Sequence, residues 1–128
     1  MVVDTSALVS IEKEEDDALY FENAIIGAER VSLSAVSYLE FSQVTIGKGD
    51  GSAVLRIDAL LRSLNVEIID VTVEDALLAR EAFIRYGKGR DHADLNLGDC
   101  FSYALAKRLG EPLLFKGNDF AHADVLKA

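Results

Sequence analysis

An alternation constrains this chain more than any single motif. Short apolar runs at Val2–Val3, Val31–Leu33, Val66–Ile69 and Pro112–Phe115 read as strands. Stretches with helical spacing lie between them: Asp16–Ile26, Ala35–Ile46, Ala53–Leu64, Val73–Tyr86 and Leu97–Leu109. Strands alternating with helices predict an α/β fold, with a parallel sheet and helices on both faces. Ala53–Leu64 places Val54, Ile57, Leu60, Leu61 and Leu64 on one face. GKGDGS (Gly47–Ser52) separates two helices. Gly87 is expected to stop its helix in the left-handed region, Gly110 ends the next one, and Pro112 is tolerable as the first residue of a strand. No repeat, linker or composition break interrupts residues 1–128, so one domain is expected.

At 128 residues the chain can bury a substantial core, and half of its residues are hydrophobic. No apolar run is long enough to span a bilayer, and the opening residues lack the layout of a signal peptide. The one cysteine, Cys100, excludes an internal disulfide and fits a reducing compartment, so the cytoplasm is the expected location. The net charge of -9 argues against loose adhesion to nucleic acid or anionic membrane. It suits a basic partner, a cation, or a substrate gripped by local basic features. EKEEDD (Glu12–Asp17) concentrates acids, whereas RYGKGR (Arg85–Arg90) has only basic charges.

In such a sheet, ligands bind outside the carboxyl ends of the strands. Asp4 ends the first strand, and Asp119 lies in the turn after the last. Glu40 is on the helix after the second strand, and Asp99 is in the first turn of Leu97–Leu109. Four converging carboxylates would raise one another's pKa values, and a hard divalent cation such as Mg²⁺ or Mn²⁺ would relieve that repulsion. Each acid also has a structural reading. Asp4 suits an N-cap, Ser37-Tyr-Leu-Glu40 and Asn96-Leu-Gly-Asp99 match capping boxes, and Asp119 suits an Asx-turn.

Three segments carry a family likeness: MVVDTSALV, YLEFSQV and LNLGDCFSYALAKRLGEPLLFKGNDF. Together they resemble the PIN-domain ribonucleases, and more closely the VapC toxins of toxin–antitoxin modules. The resemblance covers essentially the whole chain. It implies a three-layer α/β/α fold around a central parallel sheet of four or five short strands. It also implies a four-carboxylate site, Mg²⁺- or Mn²⁺-dependent cleavage of transfer RNA or other structured RNA, a VapB-type antitoxin and a homodimer. The family pattern carries over onto Asp4, Glu40 and Asp99. Many members place an acid two residues before the final Asp-Phe, where this chain has Gly117. The fourth role therefore passes to Asp119, with Asp124 as second candidate.

Thr5, Ser6 and Asn96 are supporting candidates, the first two beside the strand end and the third next to Asp99. Arg85, Lys88, Arg90 and Lys116 are the candidate RNA grip. Cys100 reads as a small buried hydrophobe rather than a nucleophile, and His92 and His122 lack the spacing of a zinc pair. The competing reading is a receiver-like Mg²⁺-binding phosphoacceptor domain using Asp4, Asp70 and Lys116. It requires paired acids after the first strand, where Thr5-Ser6 stands, and leaves Glu40 and Asp99 unexplained. A phosphatase of Asp-x-Asp-x-Thr type lacks its second Asp, because Ser6 occupies that place.

Overall fold

A computed structural model describes residues 1–47, 49, 51–89 and 94–128. The element order is β1 (Val2–Val3), α1 (Thr5–Glu12), α2 (Ala18–Ile26), β2 (Val31–Ser34), α3 (Ala35–Ile46), α4 (Ser52–Ser63), β3 (Val66–Ile69), α5 (Val73–Tyr86), α6 (Leu97–Leu109) and β4 (Leu113–Leu114). The strands form a parallel sheet in the order β3-β2-β1-β4. The predicted α/β/α arrangement is therefore present. Val2 pairs with Leu113 and Val3 with Leu114. Successive strand residues point to opposite faces. Val3, Leu33 and Leu114 join one core with side chains of α1 to α4, including Leu8, Phe21, Phe41 and Ile57. Val2 and Leu113 join a second core with α5 and α6, through Ala82, Tyr103 and Leu105, closed by Phe120 and Val125.

β1 owes its position to neighbours on both sides. The Val2 amide donates to the Pro112 carbonyl at 2.8 Å, and the Asp4 amide to Leu114 at 2.9 Å. On the other side, the Ser32 amide donates to Met1 at 2.9 Å. Beyond β4, the Leu113 amide donates to Leu126 and the Ala128 amide to Leu113, so the final residues cover that outer edge. Among the described residues no helix is long and apolar enough to cross a membrane.

Several local expectations need correction. The stretch TSALVSIE, which sequence spacing leaves unassigned, forms α1. Its Ser, Thr, Val and Ile content is poor in helix formers, but Asp4 caps it and Ala7, Leu8 and Ile11 are buried. In α4 the buried face is Ala53, Ile57 and Leu61, continued by Leu64, while Val54 points outward. Gly87 is extended (φ -62°, ψ 159°) rather than left-handed, because the chain there bridges to Leu95. Glycine is needed at that point for another reason: a Cβ would collide with the Phe83 carbonyl and ring. Gly110 does adopt the left-handed conformation, at φ 65°. Ser37 does not open a capping box, since α3 starts one turn earlier on Ser34, whose hydroxyl accepts from the Val36 amide.

Candidate active site

Asp4 is almost fully buried at the carboxyl end of β1. Its Oδ2 accepts from the Ser6 amide at 3.0 Å and the Ser6 hydroxyl at 2.7 Å. Its Oδ1 accepts from the Ser102 hydroxyl at 2.5 Å. The cap reading is thus satisfied, with one oxygen starting α1 while the other accepts from α6. Ser6 is fixed in turn by the Lys116 amide, which donates to its Oγ at 3.0 Å. Thr5 donates to the Ser37 carbonyl at 3.1 Å, tying α1 to α3.

Asp99 is the N3 residue of α6 and completes a capping box with Asn96. The Asp99 amide donates to Asn96 Oδ1 at 2.9 Å, and the Asn96 amide donates to Asp99 Oδ2 at 3.0 Å. This locks the carboxylate's rotamer on a rigid first turn. Burial, followed by the charges of Asp4, Asp119 and Glu40, pushes Asp99 up to about 7, against the opposing pull of the Asn96 backbone. Burial and then Asp4 also raise Glu40, while the nearby Thr5 hydroxyl opposes the rise. Burial and the charges of Asp4 and Asp94 raise Asp119. The field of Asp4 thus reaches Glu40, Asp99 and Asp119, and Asp99 feels all three of the other acids singled out in the sequence.

Glu40 reaches this place over a glycine. A Cβ at Gly98 would fall well inside van der Waals contact with both Glu40 carboxylate oxygens. The side chain lies directly on the first turn of α6, where backbone N–H groups favour negative charge. Gly98, Ser102 and Ser37 were not found by sequence reasoning. A signal was available in their spacing, since Ser37 precedes Glu40 by one helical turn and Ser102 follows Asp99 by one. Asp94, which adds a fifth negative field through Asp119, was also missed.

Other candidates fall elsewhere. Asp124 accepts from the Tyr103 hydroxyl at 2.6 Å and from Tyr86 at 3.1 Å, and it pairs with Lys107 and Arg85. Burial works against its charge, but Tyr103, Lys107 and Tyr86 outweigh that and hold it down at about 2. Its carboxylate thus ties the C-terminal segment to α5 and α6. Lys116 pairs with Glu15 and Asp17, so it neutralises part of the acidic run. Arg90 and His92 lie outside the described residues, and Lys88 is exposed. Cys100 is buried, and burial followed by the Asp99 charge pushes its thiol up to about 11, so no thiolate nucleophile forms near neutral pH. Asp70 is exposed after β3, and β2 separates β3 from β1. A receiver-type pairing of Asp4 with Asp70 is therefore not built.

Among the described residues, no three acid, histidine or cysteine side chains are drawn into a ready-made metal cage. The chemistry nevertheless fits a hard divalent ion. All the donors are carboxylate oxygens, and the charges that shift Asp99, Glu40 and Asp119 are all negative.

The sequence matches the PIN domain family over residues 1–126. It is 45% identical over 125 residues to ribonuclease VapC30 of Mycobacterium tuberculosis, covering 98% of this chain and 95% of that one. The chain belongs to the VapC ribonucleases of the PIN-domain family. A ribonuclease VapC of Mycolicibacterium smegmatis is 46% identical over 125 residues, covering 98% of this chain and 97% of that one. Among solved structures, M. tuberculosis VapC20, described as a sarcin-ricin loop cleaving toxin, superposes with a TM-score of 0.78 at 18% identity, covering 99% of this chain and 97% of that one. VapBC2 of Rickettsia felis, bound to promoter DNA, gives 0.73 at 16%, covering 98% and 94%. These two structures share the fold of this VapC-family chain, and its position in the family rests on the closer sequence matches.

Proposed function

We propose that this chain is a metal-dependent endoribonuclease toxin that hydrolyses phosphodiester bonds in RNA, with transfer RNA or another structured RNA as substrate. The observation that carries this reading is the convergence of Asp4, Glu40 and Asp119 on Asp99, which feels the charge of all three, in a chain of the VapC family. In the proposal these four side chains hold Mg²⁺ or Mn²⁺. The bound ion supplies positive charge against the scissile phosphate and lowers the pKa of a water. The chain's own residues set the geometry. Ser6 and Ser102 hold both oxygens of Asp4, and Asn96 holds one oxygen of Asp99. Asp99 keeps a share of its proton near neutral pH and releases it when a cation arrives.

For the RNA backbone, Lys88 and Arg85 are exposed cations of the basic stretch, and Arg90 lies outside the described residues. Arg85 and Lys116 join the grip by exchanging carboxylate partners for phosphate. A VapB-type antitoxin with a basic segment is the proposed inhibitor, matched to a net charge of -9. A homodimer and a cytoplasmic location belong to the same reading. The exposed apolar side chains Leu19, Tyr20 and Ile26 of α2, and Leu39, Phe83 and Leu97 of α3, α5 and α6, suit partner surfaces.

The test is incubation with total RNA and mapping of the cut ends, with Mg²⁺ or Mn²⁺ and with EDTA, for the wild type, Asp4→Asn and Asp99→Asn. Metal-dependent cutting that both substitutions abolish is the expected result. Full cutting by both variants overturns the mechanism.

A further inference from the structure

Two hydroxyls in the interior do something unusual for helical serines. Ser42 and Ser63 show the ordinary behaviour, donating back to the carbonyls of Tyr38 and Leu60 at 2.8 Å. Ser37 on α3 and Ser102 on α6 are both 0% exposed, and their hydroxyls lie 3.0 Å apart. The Ser102 proton goes to Asp4 Oδ1. A hydroxyl has one proton, so Ser37 must donate to Ser102. The result is a directed chain from Ser37 through Ser102 to Asp4. Its members lie one turn from Glu40 and one turn from Asp99, on the two helices that carry those acids. Burying a hydroxyl costs free energy unless it is hydrogen-bonded, and these two are bonded to each other and to Asp4. α6 uses alanine at the neighbouring buried positions 104 and 106.

We propose that the Ser37–Ser102 pair is a positioning strut for the acidic site. It orients the Asp4 carboxylate, and it fixes α3 against α6 so that Glu40 and Asp99 face the same point. The inference rests on the reading of the four acids as a metal site. Neither serine touches substrate, so both are positioning residues. Their loss acts through the affinity of the site for its cation, in the range known for groups that orient metal ligands.

The test is calorimetric titration of Mn²⁺ into the intact protein, for the wild type, Ser102→Ala, Ser37→Ala, Ser10→Ala, Asp4→Asn and Asp99→Asn. Ser102→Ala is expected to weaken Mn²⁺ binding about tenfold or more. Ser37→Ala is expected to weaken it by roughly threefold, because it breaks the α3–α6 link but leaves the Ser102–Asp4 bond in place. Ser10 is an equally buried hydroxyl that is bonded to Asp17 instead. Its alanine variant is expected to bind Mn²⁺ as the wild type does, which separates positioning from a general loss of buried hydroxyls. RNA cleavage by Ser102→Ala should recover most of the wild-type rate at saturating Mn²⁺. Wild-type affinity in both serine variants, with binding lost in Asp4→Asn and Asp99→Asn, overturns the strut and leaves the metal site standing. Wild-type affinity in the two Asn variants removes the metal site and the strut together. If Ser102→Ala does not fold, Ser37→Ala decides, and unchanged Mn²⁺ affinity there overturns the strut.

Discussion

At Asp99 a helix cap and a charge site share one carboxylate. Its raised pKa, about 7, has a thermodynamic consequence. The native state binds this proton more tightly than the unfolded chain does. Its contribution to stability is therefore complete at pH below about 4, and it is lost as pH rises through about 7. Metal-free wild type should thus lose stability relative to Asp99→Asn over that interval. Mn²⁺ added at pH 8 should raise the melting temperature of the wild type and leave that of Asp99→Asn nearly unchanged. Thermal scans of both proteins across pH 4–8 check this, and parallel curves would remove Asp99 as the source. Gly98 gives a second prediction at this scale. Gly98→Ala drives a methyl into the Glu40 carboxylate. It should cost about 1–3 kcal/mol by overpacking and should lower RNA cleavage by displacing Glu40. Denaturant unfolding measures the first effect, and cleavage at fixed Mn²⁺ measures the second.

Between elements, the α5–α6 packing is fastened at one end by a partly buried ion pair. Asp75 closes a capping box with Thr72 and also receives both arms of Arg108, which extends a further hydrogen bond to the Asp70 carbonyl at 3.5 Å. Asp75→Ala removes the N3 half of the capping box, leaving the Thr72 cap, and strands the guanidinium. A loss of about 2–4 kcal/mol in urea unfolding is expected, with cleavage at low temperature largely retained because no site acid lies on α5. Elements are also the scale at which the sequence was most legible. The alternation located all four strands and five of the six helices described, because apolar runs and helical spacing are local properties. α1 escaped because its Thr, Ser, Val and Ile are weak helix formers, and the Asp4 cap with tertiary burial makes it a helix. Gly87 was misread because its need for glycine comes from the Phe83 carbonyl above it and not from its own φ. Asp4 and Asp99 stand out in the sequence because one follows a strand and the other starts a helix, whereas Glu40, in the second turn of α3, and Asp119, in the turn beyond β4, carry a weaker local signal. Ser37, Ser102 and Gly98 were not legible, since their partners are on other elements and no single segment displays the contact.

For the molecule as a whole, the net charge of -9 sets how partners arrive. Association with a basic antitoxin should be steered by this field, so raising ionic strength from about 0.05 to 0.5 M should slow it by about tenfold. Stopped-flow association at several salt concentrations tests this, and a flat response would exclude charge steering. The sheet order has a further implication, concerning time. β1 lies between β2 and β4, so the strand that presents Asp4 is completed only when Leu113 and Leu114 dock beside it. Asp119 comes later still. A chain leaving the ribosome with its N-terminus first carries Asp4 and Glu40 for most of its synthesis without the partners that make them a site. Assembly of the acidic corner therefore waits until Leu113, Leu114 and Asp119 have emerged, near the end of synthesis.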